Sequence, residues 1–177
     1  MEPLDPPDDL LASCRAGDRE AFGRLFDLSR DRVYGVALGI CGDRTAAADV
    51  SQEVFMKLLT RIAQFEGRAR FATWLYRLVV NTAMDYQRAS RRITTLPDTL
   101  EDSRRHDHDY ERAERRKRVE RAVQSLPAKL RAPLVLRHVE GLAYREIATV
   151  LGVSAGTVAS RLSRAHTRLS RELAGEV

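Results

Sequence analysis

Six side chains in the C-terminal quarter of the chain could grip a polyanion: Ser154, Thr157, Ser160, Arg161, Arg164 and Arg168. Arginine presents a planar fork to guanine edges or phosphates, and hydroxyls pair with either. They lie within GLAYREIATVLGVSAGTVASRLSRAHTRL, Gly141 to Leu169, where Leu-Gly-Val-Ser separates two short apolar-periodic runs. Ile147 and Leu151 supply the inner face of the first run, and Ala148 is small where a second helix comes close. Gly152 gives a turn at positive φ, Val153 plugs the corner, and Ser154 caps the next helix. That helix buries Val158, Leu162, Ala165 and Leu169 and leaves Thr157, Ser160, Arg161, Arg164 and Arg168 outward. The spacing predicts a helix-turn-helix whose second helix suits a DNA major groove. An ordinary helix pair with a basic surface is the plainer alternative. Glycine, small residue, serine cap and unopposed arginines together favour DNA.

A different chemistry could come from RHDHDYE, where His106 and His108 alternate with Asp107 and Asp109. His-x-His in a charged segment is a weak metal signature, and four protein ligands are usual in structural zinc sites. No second ligand cluster and no nucleophile–base pattern accompanies it. The expectation is therefore no catalytic residue, no metal, no cofactor and no enzyme.

Composition bounds the rest. Of 177 residues, 44% are hydrophobic, enough for one medium domain or two small ones, while aromatics are only 6%. No apolar run nears the roughly 20 residues of a membrane span, and the acidic, proline-bearing start does not read as a signal peptide. Cys14 and Cys41 are too few and too scattered for a disulfide framework, so both are expected to be reduced thiols, one or both of them in the core. These features predict a soluble cytoplasmic protein without membrane insertion. The net charge of +5 is unevenly placed: −4 over residues 1–60, +5 over 61–92, −4 over 93–111 and +8 over 112–177. Two basic blocks parted by an acidic one point to two separate polyanion contacts.

The elements that position these groups are all helical. Phe22, Leu25, Phe26, Val33, Val36, Ala37 and Ile40 form one stripe of a helix starting near Asp18 and ended by Gly42-Asp43. Val50, Val54, Phe55, Leu58, Leu59 and Ile62 form a second stripe. After the loop QFEGRAR, a third runs through Phe71, Trp74, Leu75, Leu78 and Val79 toward Arg92. Residues 93–111 break the rhythm with a proline and many charges, as a linker does. Helices resume near Tyr110, Pro127 opens one, and Gly141 is expected to close it. The fold class is all-α: two small helical domains, 1–92 and 112–177, joined by an extended linker at 93–111.

Three segments in register, DVSQEVFMKLL, FATWLYRLVVNTAMDYQRASRR and SLPAKLRAPLVLRHVEGLAYREIATVLGVSAGTVASRL, closely resemble the bacterial sigma-70 superfamily, in particular its small two-domain sigma factors of the extracytoplasmic-function (ECF) type. The resemblance covers nearly the whole chain. It implies a region 2 bundle that docks on polymerase and melts −10 DNA, and a region 4 helix-turn-helix that reads the −35 duplex. Asp49, Gln52 and Glu53 would then dock on the β′ clamp helices of core RNA polymerase, and the β flap is a further polymerase surface the chain would meet. Phe65 matches the position lining the pocket for a flipped base, and Asn81 can read a base edge. Arg68, Arg70, Arg77, Arg88, Arg91 and Arg92 would hold phosphates. Phe71 and Trp74 lie on the apolar stripe and are expected in the core, and Asp85 is expected to orient a neighbouring arginine. Ala159 stands where the family often has lysine, shifting load to Arg161 and Arg164. Partners implied are core polymerase, promoter DNA and an anti-sigma protein. A stand-alone helix-turn-helix regulator is the alternative, but it leaves the Asp49–Glu53 face without a role. Nineteen linker residues reach about 60 Å, which matches about 58 Å between elements some 17 base pairs apart.

Overall fold

The computed structural model describes residues 4–93 and 110–174, with side chains for 4–90 and 114–174. Among the described residues there are eight α-helices and one 3-10 turn: α1 (Asp8–Arg15), α2 (Arg19–Cys41), α3 (Arg44–Arg61), the turn Ile62–Gln64, α4 (Phe71–Ile93), α5 (Tyr110–Ser125), α6 (Ala128–His138), α7 (Tyr144–Leu151) and α8 (Ala155–Ala174). No strand occurs among the described residues, as the periodicity predicts.

Local chemistry sets most boundaries. The Asp18 carboxylate accepts from the N–H groups of Glu20 (2.8 Å) and Ala21 (3.2 Å), satisfying two donors that the first turn of α2 leaves open. Asp43 does the same for α3 through Ala46 N–H at 2.6 Å. Between them Gly42 takes φ 78° and ends α2. In the first bundle, Leu25, Val33, Val36, Ala37 and Ile40 of α2 pack with Val50, Val54 and Leu58 of α3 and Leu75, Val79 and Ala83 of α4, all but closed to solvent. Each large aliphatic chain so buried contributes about 1.5–3 kcal/mol.

Three features depart from the sequence expectation. First, α1 forms although no periodicity marks it; Leu10, Leu11 and Cys14 seal one end of the bundle. Second, Phe26 and Leu59 do not join the buried stripes: they are 38% and 59% exposed. Leu58 and Leu59 stand about 100° apart around the helix, so only Leu58 reaches the core. Third, α6 ends at His138 rather than at Gly141. Gly141, at φ 71°, belongs to the following turn, where Leu142 N–H returns to Leu136 C=O at 3.1 Å.

The linker expected at 93–111 is narrowed by its flanks, since α4 extends to Ile93 and α5 begins at Tyr110. Residues 94–109, with His106 and His108, lie outside the described residues.

The two helical groups share one apolar core. Gly39 of α2 faces α6 so closely that a Cβ there would stand 2.9 Å from Val135 Cγ1, which is why the middle of a helix carries glycine despite its low propensity. Gln124 Nε2 donates to Gly39 C=O at 3.3 Å beside this contact.

Candidate polymerase and nucleic-acid interfaces

α3 presents one polar face. Asp49, Gln52 and Glu53 are exposed, while Val50, Val54 and Leu58 fill the opposite side. The Tyr86 hydroxyl donates to Asp49 Oδ2 at 3.3 Å, and its pKa is raised by burial first and then by the Asp49 charge. Lys57 Nζ bridges Glu53 Oε1 (2.5 Å) and Thr82 Oγ1 (3.1 Å). The same side of α3 continues into Met56 and Leu59, which are 64% and 59% exposed, and Phe26 stands near by with its ring 4.5 Å from that of Phe55. Sequence reasoning missed these apolar groups. The signal available was the Leu58-Leu59 pair, which a helix cannot bury together.

The loop before α4 is tied down from both ends. Arg15 of α1 donates to Phe65 C=O at 3.3 Å. The Phe65 ring is 7% exposed and meets Phe71 edge-on at 5.7 Å and Trp74 at 5.5 Å. Phe65 therefore stands here as the wall of an aromatic cluster with Phe71 and Trp74, both of which pack inward as expected. Arg68 pairs with Glu66 at 2.6 Å, and Arg88 pairs with Asp85 one helical turn away. Asn81 is exposed and lines a groove with Lys57, Arg61, Asp85 and Arg88. The side chains of Arg91 and Arg92 lie outside the described residues.

In the second group, α7 and α8 form the expected hairpin. Gly152 closes α7 at φ 64°, and Val153 N–H returns to Ala148 C=O at 3.0 Å. Ser154 Oγ caps α8 through Thr157 N–H at 3.1 Å. Ile147, Ala148, Val150, Val158, Leu162 and Ala165 are buried, which turns Ser160, Arg164 and Arg168 to solvent and leaves Thr157 and Arg161 half-buried at its edge. Arg164 is held along the helix by Ser160, with Nε 3.2 Å from its carbonyl oxygen. No acid pairs with Arg161, Arg164 or Arg168 among the described residues, so α8 carries an unneutralised basic row.

Comparison with known families gives the same two-part division. The Sigma-70 region 2 family matches residues 25–93, and Sigma-70, region 4 matches residues 116–169. The chain is a sigma factor of the sigma-70 family. It is 35% identical to the RNA polymerase sigma-H factor of Pseudomonas aeruginosa, across 93% of this chain and 92% of the relative. It is 32% identical to the ECF RNA polymerase sigma-E factor of Haemophilus influenzae, across 93% of each. A solved structure of CnrH in complex with the cytosolic domain of CnrY superposes with a TM-score of 0.72 at 26% identity, covering 96% of this chain and 97% of that one. The sigma factor RpoE, solved with the anti-sigma factor NepR from Bartonella quintana, shares the fold at TM-score 0.71 and 22% identity, over 87% of this chain and 97% of that one.

In this sigma factor the region 4 hairpin rests on region 2. Arg70 Nη2 is 2.9 Å from Asp5 Oδ2, and its Nη1 is 3.4 Å from Glu146 Oε1 on α7. Arg77 donates to Thr149 C=O at the other end of α7. Between these contacts the Glu140 carboxylate, 2% exposed, accepts from the Tyr76 hydroxyl and stands 3.9 Å from Arg32. Two of the arginines assigned to the −10 element thus face region 4. No helix among the described residues is long and apolar enough to cross a membrane.

Proposed function

We propose that this sigma factor divides promoter recognition among three surfaces. The Asp49–Gln52–Glu53 face, extended by Met56 and Leu59, docks on the clamp helices of core RNA polymerase. Opposite charge there steers the encounter and fixes orientation, and the apolar pair supplies the desolvated centre that anchors interfaces. The loop from Phe65 to Arg70 and the outer face of α4 take the −10 strand: Asn81 meets a base edge while Arg68, Arg70, Arg77, Arg88, Arg91 and Arg92 hold phosphates. Base stacking in such sites is worth about 1–3 kcal/mol per base. In α8, Ser154, Thr157, Ser160, Arg161, Arg164 and Arg168 read the −35 duplex. The domains are 1–92 and 112–177 with a tether between, and the β flap and an anti-sigma protein are further partners. The chain carries out no catalysis of its own and works in the cytoplasm beside polymerase.

The observation carrying this reading is that an acidic-amide face, an arginine-bearing aromatic loop and a basic recognition helix occupy three different surfaces of one sigma fold. A stand-alone regulator has no use for the first two. Because Arg70 and Arg77 meet α7 here, the arrangement seen is closed, and promoter engagement requires region 4 to lift off α4.

The test is in vitro transcription by core polymerase with and without the protein, with all transcripts sequenced. New start sites sharing −35 and −10 elements support the reading. Identical starts in both reactions refute it, and tight binding to duplex DNA without polymerase would favour a regulator.

A further inference from the structure

Away from the three surfaces, the fold brings two imidazoles together. His138 ends α6, and His166 lies in the middle of α8. Their Nε2 atoms are 3.2 Å apart, with ring centroids separated by 5.4 Å and planes inclined by 69°. Between neutral rings this gap holds a single proton, one nitrogen donating and the other accepting. The same gap also forms the base of a triangle closed by two metal–nitrogen bonds. With sides of about 2.0–2.1 Å, a base of this length gives an apex near 100°, close to tetrahedral. We propose that His138 and His166 form a two-imidazole site for a divalent transition metal of the zinc class, with water in the remaining positions.

The surroundings fit a cation with open coordination. His166 borders a solvent-open groove lined also by Tyr144, Ser163, Thr167, Ser170 and Arg171, which leaves room for water ligands. His138 is the last residue of α6, where the helix carbonyls favour positive charge. Arg137, the adjacent cation, is held by other groups, Nη1 donating to Leu142 C=O at 3.0 Å with the guanidinium 5.7 Å from the centre of the Tyr144 ring, though its charge still reaches His138. No group of three or more His, Cys, Asp or Glu suited to a metal exists among the described residues. The site is therefore an external clasp with two protein ligands and not a closed structural centre. Its effect is to join the end of α6 to α8 and stiffen the basic helix. Copper(II) binds more tightly than zinc or nickel at such nitrogen sites.

Calorimetric titration of the full, tag-free, chelator-stripped chain with zinc, and electron paramagnetic resonance with copper(II), test the site. The expected result is one metal per chain, a raised Tm, and a copper spectrum with two imidazole nitrogens. Each of His138→Ala and His166→Ala, both exposed substitutions, should weaken binding by more than the about 10–100-fold that losing a group which merely orients a ligand costs, while His106→Ala/His108→Ala should leave it unchanged. Circular dichroism of the metal-free variants confirms that they fold. The proposal is overturned if the wild type takes up no metal. It is equally overturned if His166→Ala binds as tightly as wild type, or if binding disappears only in the His106/His108 variant.

Discussion

The Tyr76 hydroxyl donates to the Glu140 carboxylate, joining the centre of α4 to the turn that precedes the helix-turn-helix. Tyr76 is 1% exposed and the Glu140 side chain 2%, and Arg32 completes the group. A carboxylate withdrawn this far from water is tolerable only with a donor and a cation in place. The bond therefore acts as a latch between regions 2 and 4, and separating them returns Glu140 to solvent.

Glu140→Ala leaves the Tyr76 hydroxyl buried without its acceptor, which costs about 1–3 kcal/mol. In a chain of this length each kcal/mol lowers Tm by about 2–4 °C. Thermal unfolding should show that drop, and a −10 single-strand oligonucleotide should bind the variant more tightly because Arg70 and Arg77 are uncovered more often. Unchanged Tm and unchanged oligonucleotide affinity would show that the latch carries no energy.

Tyr76 also gives the closed form an alkaline limit. Burial, and then Glu140, push its pKa well above the ordinary value of 10.0. Its contribution is complete below that value and declines as pH rises from 10 toward the higher folded-state pKa, because the unfolded chain ionises first. Chemical denaturation between pH 9 and 11.5 should show stability falling, and Tyr76→Phe should flatten that part of the curve relative to wild type.

Most helix ends were legible in the sequence, because Asp18, Gly42, Gly152 and Ser154 act through neighbours within a few residues, whereas Gly141 belongs to the turn after α6 and does not close it. The recognition helix was legible in its centre, where period places Val158, Leu162 and Ala165 inside and Ser160, Arg164 and Arg168 outside, but Thr157, Arg161 and Leu169 are half-buried where the period put them fully out or in. Tertiary choices were not. Nothing local in Gly39 shows that it faces Val135, and nothing local in Arg70 shows that Glu146, 76 residues later, stands beside it. Periodicity also over-assigned Phe26 and Leu59 to the core, because it ranks apolarity and cannot see which side of a helix lacks a neighbour. His138 and His166 belong to separate motifs, and only the packing of α6 against α8 makes them a pair.

The α8 arginines should separate by their salt dependence. For −35 duplex bound by the polymerase holoenzyme, an arginine on a phosphate contributes about 0.9 to the slope of log K against log salt. Arg164→Ala and Arg168→Ala should each lower the slope by that amount if they hold phosphates. One that reads a guanine edge should instead relax preference at a single base pair by about 1–3 kcal/mol. Titrations at three salt concentrations on matched and mismatched duplexes distinguish the two. A variant that changes neither slope nor preference removes that residue from the interface.

The cysteines should be slow to react. Burial, the largest effect, raises the Cys41 pKa to about 11, and burial followed by the Asp18 charge raises that of Cys14. The thiolate is the nucleophile, so at pH 8 very little of either residue is reactive. Labelling of the native protein with a disulfide reagent should be much slower than in denaturant and should accelerate as pH climbs toward 11. Prompt labelling of Cys41 at pH 7 would make it a redox-capable site after all.

The exposed apolar end of the α3 face gives the sharpest separation of binding from folding. Met56 and Leu59 are 64% and 59% exposed, so replacing them with serine removes little buried area and should change stability by no more than about 0.5 kcal/mol. If they form the anchored centre of the polymerase contact, truncation there removes a group that the partner encloses, at a typical cost of 2 kcal/mol or more. Glu53→Lys tests the polar half of the face in a different way. Its charge reversal should slow association with core polymerase and weaken the dependence of that rate on salt, with less effect on dissociation. Binding kinetics of Met56→Ser, Leu59→Ser and Glu53→Lys against immobilised core polymerase read both effects at once. Wild-type kinetics in all three variants would move the docking surface off α3.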